Sequence, residues 1–92
     1  MADADARSLS RNPLINAQRM EKGAVLMDAG TGECFELNRI GAEVWELIET
    51  GVHLPKIVSL LASRYGVPEE RVSADVKNMI DQMLARGLVV LK

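Results

Sequence analysis

Side chains able to carry catalysis are few and far apart along these 92 residues. General acid–base and nucleophilic chemistry both require a base held beside its partner, and the chain offers one histidine, His53, and one cysteine, Cys34. His53 falls in a turn between two expected helices, where a polar side chain caps or meets solvent. No neighbouring cation in the sequence would lower the Cys34 thiol pKa, so an interface or structural thiol is expected there and not a nucleophile. One Cys and one His cannot assemble a four-ligand zinc site, nor can a lone Cys form an internal disulfide. The adjacent carboxylates Glu69 and Glu70 open a helix, where they stabilise its positive end without any active site. Gly30-Thr31-Gly32 lacks the lysine and the following helix of a phosphate loop and reads as a hairpin turn. No catalytic, cofactor-binding or metal-binding residue is expected, and the chain reads as a non-enzyme.

A different chemistry is available to it, that of an open strand edge. Residues Glu33, Cys34, Phe35, Glu36 and Leu37 form a short alternating strand that runs without a loop into a helix carrying the only tryptophan, Trp45. A strand edge displays unpaired N–H and C=O groups, and an extended peptide can add to it through main-chain hydrogen bonds while adjoining apolar pockets select its side chains. Met79 and Met83 lie one turn apart on the last helix and suit an adaptable apolar groove, or else the core. Asp75 sits off the centre of the same stripe, where it accepts from a ligand or solvates the helix.

The elements that must position these residues follow from periodicity and punctuation. A weakly alternating stretch over residues 13–20 precedes Gly23, a better strand covers residues 24–29, and Gly30-Thr31-Gly32 joins it to the third strand as a hairpin. Phe35 and Leu37 share the core-facing side, Cys34 and Glu36 the other. Asn38 fits the N-cap of a helix running to about residue 50, with Ile40, Val44, Trp45, Leu47 and Ile48 inward and Glu43, Glu46 and Glu49 toward solvent, and with Gly51 as its stop. Pro55 suits the first turn of a second helix ending near Gly66. The third and longest helix opens at about Pro68 and continues to Arg86, presenting Val72, Val76, Met79, Ile80, Met83 and Leu84, and residues 88–91 follow as a short extended segment. The expected architecture is α+β, winged helix-turn-helix-like: a three-stranded antiparallel sheet followed by three helices in one domain over residues 13–92, with residues 1–12 as a disordered tail.

Composition bounds the partners. With 48% apolar residues but only three aromatics, aliphatic packing must supply the core, and a chain this short buries roughly 60–65% of its unfolded surface. The first dozen residues hold no apolar run of secretory type, and no apolar run approaches the roughly 18–20 residues of a membrane span, so a soluble protein of the reducing cytoplasm is expected. Strands followed by three helices also describe a small winged-helix DNA-binding regulator. Against that alternative, residues 69–86 carry Glu69, Glu70, Asp75 and Asp81 against Arg71, Lys77 and Arg86, and the whole chain has net charge −2, so phosphate binding would be opposed. The third-strand edge is equally open to a second copy of the chain, so a homodimer is among the possible assemblies.

The junction Leu37-Asn38-Arg39-Ile40-Gly41-Ala42-Glu43-Val44-Trp45 resembles the "LN..ga.iW" signature of PqqD-like proteins. Val72, Asp75-Val76, Met79-Ile80, Met83 and Gly87-Leu88 are similar to that family's "v..Dv..fl..L...GL" pattern, with methionine at 79 in place of an aromatic and at 83 in place of leucine, and Asp28 to Gly32 resembles its "d..tg" hairpin. The likeness spans residues 14–91. It implies a RiPP recognition element: a non-catalytic domain that captures the leader of a ribosomally made precursor peptide and delivers it to a modifying enzyme in natural product biosynthesis. That enzyme would be a radical enzyme in pyrroloquinoline quinone biosynthesis or a leader peptidase in a lasso-peptide pathway. The resemblance further implies that the leader adds as a strand beside Glu33, Cys34, Phe35, Glu36 and Leu37, packed on Val72, Asp75, Val76, Met79 and Met83.

Overall fold

Two-residue alternation in the first half of the chain and a 3.6-residue period in the second produce strands and then helices, in that order. The computed structural model describes residues 9–91. The elements are β1 (Leu9–Arg11), β2 (Ile15–Met20), β3 (Gly23–Asp28), β4 (Cys34–Asn38), α1 (Arg39–Glu49), α2 (Leu54–Tyr65), α3 (Glu69–Ala85) and β5 (Val89–Leu91). Strands β2, β3 and β4 form one antiparallel sheet in that order, and β1 pairs with β5 in a second, two-stranded sheet. The three-stranded sheet followed by three helices is the expected α+β arrangement, and the former third strand is β4.

The two hairpins of the larger sheet are fixed by small local devices. Between β3 and β4 the Asp28 carboxylate accepts from the Gly30 N–H at 2.7 Å and from the Thr31 N–H at 3.3 Å. Of the two glycines there, only Gly32 takes positive φ, +81°, so the turn needs one left-handed position and not two. Gly23 is required for a different reason. It pairs with Asn38, and a Cβ on it would stand 2.0 Å from the Leu37 carbonyl oxygen, so only glycine lets β3 reach the end of β4.

Aliphatic side chains close the core as the composition demands. Ile15 and Leu26 from the sheet, Val44, Trp45 and Ile48 of α1, Ile57 and Leu61 of α2, and Val76, Ile80 and Met83 of α3 form one buried cluster. Trp45 is 1% exposed, and its indole N–H finds no hydrogen-bond partner among the described residues. Such an orphan costs about 1–3 kcal/mol, which the large apolar area of the ring offsets.

Part of the expected tail is structure. Residues 1–8 lie outside the described residues, but Leu9–Arg11 pair with Val89–Leu91 in the register Leu9↔Leu91, Ser10↔Val90, Arg11↔Val89. Leu9 is buried, the Asn12 N–H donates to the Leu88 carbonyl and the Asn12 side-chain amide donates to the Gly87 carbonyl, both at 2.9 Å. A three-residue strand whose partner lies some eighty residues away leaves no local periodicity to detect. Glu46 and Glu49 of α1 are exposed, as expected, and Glu43 is half-buried; Glu43 pairs with Arg64 of α2, Glu46 with Arg19 of β2, and Glu49 with Arg11 of β1. The polar face of α1 therefore ties to three neighbours, although each exposed pair contributes little on its own.

Candidate functional site

The strand-to-helix junction is built by one side chain. Asn38 ends β4 in an extended conformation, and its side-chain oxygen accepts from the Gly41 N–H at 2.8 Å, capping α1. With the cap in place β4 passes straight into α1, and α3 faces β4 across a cavity that both line.

Hydrogen-bond parity decides which way the β4 backbone faces. The Asp28 N–H donates to the Glu33 carbonyl at 2.9 Å, and the register continues Met27↔Cys34, Leu26↔Phe35, Val25↔Glu36 and Ala24↔Leu37. In an antiparallel ladder, bonded and non-bonded pairs alternate. The N–H and C=O groups of Phe35 and Leu37 are thus committed to β3, and those of Cys34 and Glu36 point away from the sheet. No described strand pairs on that side. Side chains alternate in the perpendicular sense, Phe35 and Leu37 half-buried and Cys34 and Glu36 exposed.

Beside this free edge run two adjoining cavities. One, of about 170 Å³, lies between β4 and the C-terminal half of α3, with Phe35, Leu37, Met79, Gln82, Met83 and Arg86 among its walls. That slightly exceeds a void of about 150 Å³, which accepts a benzene-sized group. The other, of about 360 Å³, opens between the N-terminal half of α3 and the α1 and α2 helices, its apolar lining supplied by Ile40, Leu61, Val67, Val72 and Val76 and its polar lining by Arg71 and Asp75. Asn38 and Met79 belong to both. Met79, half-buried, is the partition between them. Close approach at this point depends on Gly41, whose hypothetical Cβ would stand 3.3 Å from the Leu37 Cβ and 3.5 Å from the Met79 sulfur.

The residues singled out in the sequence are distributed unequally. Phe35, Glu36, Leu37, Met79 and Met83 meet at the smaller cavity, and Val72, Asp75 and Val76 at the larger. Val76 and Met83 are only 1% and 2% exposed and form the floor as core members, so their side chains are less available than expected. Glu33 lies just before β4, not within it, with its carbonyl turned inward to β3, and Cys34 lines neither cavity and is exposed. Gln82, Arg86 and Gly41 were not anticipated. The signal for Arg86 was its position seven residues beyond Met79, two helical turns along the same face.

Electrostatics at the rim are mixed. Tyr65, in the wall of the larger cavity, donates to the Glu43 carboxylate. Partial burial works against the charged form of Glu43, but hydrogen bonds from Tyr65 and Arg64, together with the charges of Arg64 and Arg19, outweigh it and hold the carboxyl below its ordinary range. Its hydrogen bond to Glu43 raises the Tyr65 hydroxyl above the usual phenol value. Arg86 lies over Phe35 at cation–π distance, its guanidinium carbon 5.7 Å from the ring centroid. Among the described residues, no group of three or more His, Cys, Asp or Glu side chains could hold a metal ion, and no helix is long and apolar enough to cross a membrane.

The family model described as coenzyme PQQ synthesis protein D (PqqD) matches residues 23–89. No curated protein gives a significant match. Two solved structures superpose closely. "TbiB1 in Complex with the TbiA(beta) Leader Peptide" matches with TM-score 0.82 and 22% identity, over 87% of this chain and 93% of that one. "Lasso peptide synthetase B1 complexed with the leader peptide" matches with TM-score 0.83 and 22% identity, over 90% of this chain and 98% of that one. At that identity the likeness is one of fold.

Proposed function

Because the chain belongs to the PqqD family, we propose that it is a non-catalytic adaptor that binds the leader segment of a ribosomally made precursor peptide and delivers it to a modifying enzyme. The leader adds to the free edge of β4 as a fourth strand. The outward N–H and C=O groups of Cys34 and Glu36 hold its backbone, and the two cavities flanking Met79 take its side chains. The guest runs antiparallel to β4, the orientation of every pair in this sheet and the slightly stronger of the two ladders.

The observation that carries this reading is the coincidence of an unpaired backbone edge with an apolar groove on a helix that is not basic. Either feature alone has ordinary explanations. Together they supply both halves of strand-addition recognition, main-chain affinity and side-chain selectivity. The two solved structures of similar fold, each a complex with a leader peptide, support it, and the modifying enzyme is a radical enzyme or a leader peptidase.

Calorimetric titration with leader peptides encoded in the same gene neighbourhood tests the proposal. A Kd between micromolar and nanomolar, about −8 to −12 kcal/mol, is expected. Heats absent for all of them, with a salt-dependent shift of duplex DNA in a gel instead, would reject it in favour of the winged-helix regulator.

A further inference from the structure

We propose that Arg86 reads a carboxylate on the bound peptide, at the second residue after the apolar side chain that fills the cavity between β4 and α3. The inference rests on the leader-binding reading above and names the side-chain chemistry which that site selects.

The geometry follows from register. A guest strand antiparallel to β4 passes Leu37 first and Phe35 two residues later, and residues directly opposite one another share a face of the sheet. The guest residues opposite Leu37 and Phe35 therefore both turn toward α3, and the residue between them, opposite Glu36, turns to the outer face. Near Leu37 the wall carries Met79 and Gly41, and the Asn38 side-chain oxygen there is already committed to the Gly41 N–H, which leaves an apolar side chain the better fit. Opposite Phe35 stands Arg86, over the ring.

The Arg86 side chain has no other duty that the structure displays. It is exposed and in no ion pair with a described residue. Three of the last four carbonyls of α3 are already satisfied by backbone donors: Gln82 by the Arg86 N–H at 3.1 Å, Leu84 by the Gly87 N–H at 3.1 Å and Met83 by the Leu88 N–H at 2.9 Å. The guanidinium is not needed as a helix cap. A guanidinium held at cation–π distance from an aromatic ring still has its N–H donors to offer, and these match a carboxylate in bidentate geometry. The nearby anion is Glu36, also at the cavity wall, but its side chain lies on the exposed outer face of the strand. The larger cavity continues the groove on the other side of Met79 and takes the preceding, apolar part of the guest. The preferred peptide is apolar in its first half and ends in an apolar-x-acidic triplet, with Asp or Glu in the last place.

Selection of displayed random dodecapeptides on the full chain, and in parallel on Arg86→Glu, tests this. The wild-type chain is expected to enrich apolar-x-Asp/Glu, and the variant to enrich apolar-x-Lys/Arg. Arg86→Gln should weaken a selected peptide roughly tenfold, the loss of one charge-assisted pair, and should leave unchanged a peptide with Gln in place of the acid. Groove-binding peptides with no acid at that place, or with the acid before the apolar residue, overturn the Arg86 assignment and leave leader binding standing. Peptides insensitive to Met79→Asp, or no enrichment, overturn both.

Discussion

Glu36→Pro is expected to weaken peptide capture by roughly a hundredfold while the domain stays folded. Proline removes a backbone N–H and locks φ, and is therefore tolerated in strands only at edges, with the missing donor facing away from the ladder. Position 36 meets that condition, because the Asp28–Glu33 bond sets a parity in which the Glu36 backbone points outward. Phe35 before it is already extended, as a residue preceding proline prefers. What is lost is a donor to the guest, together with the desolvation of the guest carbonyl left without it, about 2–4 kcal/mol in all. Phe35→Pro is the control. It deletes a ladder donor to Leu26 and is expected to unfold the hairpin, visible as lost strand signal in circular dichroism. If Glu36→Pro binds peptide as well as the unmodified chain, the guest does not occupy this edge.

The second large effect is expected at Met79. As the partition shared by both cavities, it touches whatever fills either one. Met79→Asp places a carboxylate there that stays hydrated in the free protein but loses water when a peptide covers it, and an unpaired charge buried in this way is very costly. Capture should fall below detection in a titration that reads micromolar affinity. Glu36→Asp, which keeps the backbone N–H and C=O and the charge and only shortens an exposed side chain, should bind within about twofold of wild type. Circular dichroism of both variants separates lost binding from lost fold. Equal affinity of the two, with the fold intact, would mean that the groove is placed wrongly. Val76, although it lines the larger cavity, is a poorer choice for such a test, because at 1% exposure its replacement by a charge strikes the core first.

The contrast between Met79 and its neighbours shows what the sequence could and could not convey. Short-range features were legible: Asn38 does cap α1, Trp45 does face inward, and Phe35 and Leu37 do take the inner side of β4. Each depends on residues within one turn or one strand, where period and cap chemistry act directly. The stripe Val72, Val76, Met79, Met83 was equally legible as a stripe. Which members are floor and which are wall depends on how far α1, α2 and β4 cover each one, and helical spacing carries no record of that. Glu33 stands one residue before β4, and its carbonyl faces β3 by the same parity as Phe35 and Leu37. Strand β1 leaves no mark in the sequence because Leu9-Ser10-Arg11 is too short to show alternation and its partner is at the far end of the chain. Arg86 shows in the sequence only as one charge in a sum, since its contact with Phe35 joins residues 51 positions apart.

Backbone amide exchange, read residue by residue with and without a selected peptide, addresses the edge itself. Protection should rise at Cys34 and Glu36 and remain unchanged at Phe35 and Leu37, whose N–H groups β3 already holds. Unaltered exchange at Cys34 and Glu36, with new protection at Ala17 and Arg19 on the opposite free edge of β2, would contradict strand addition at β4.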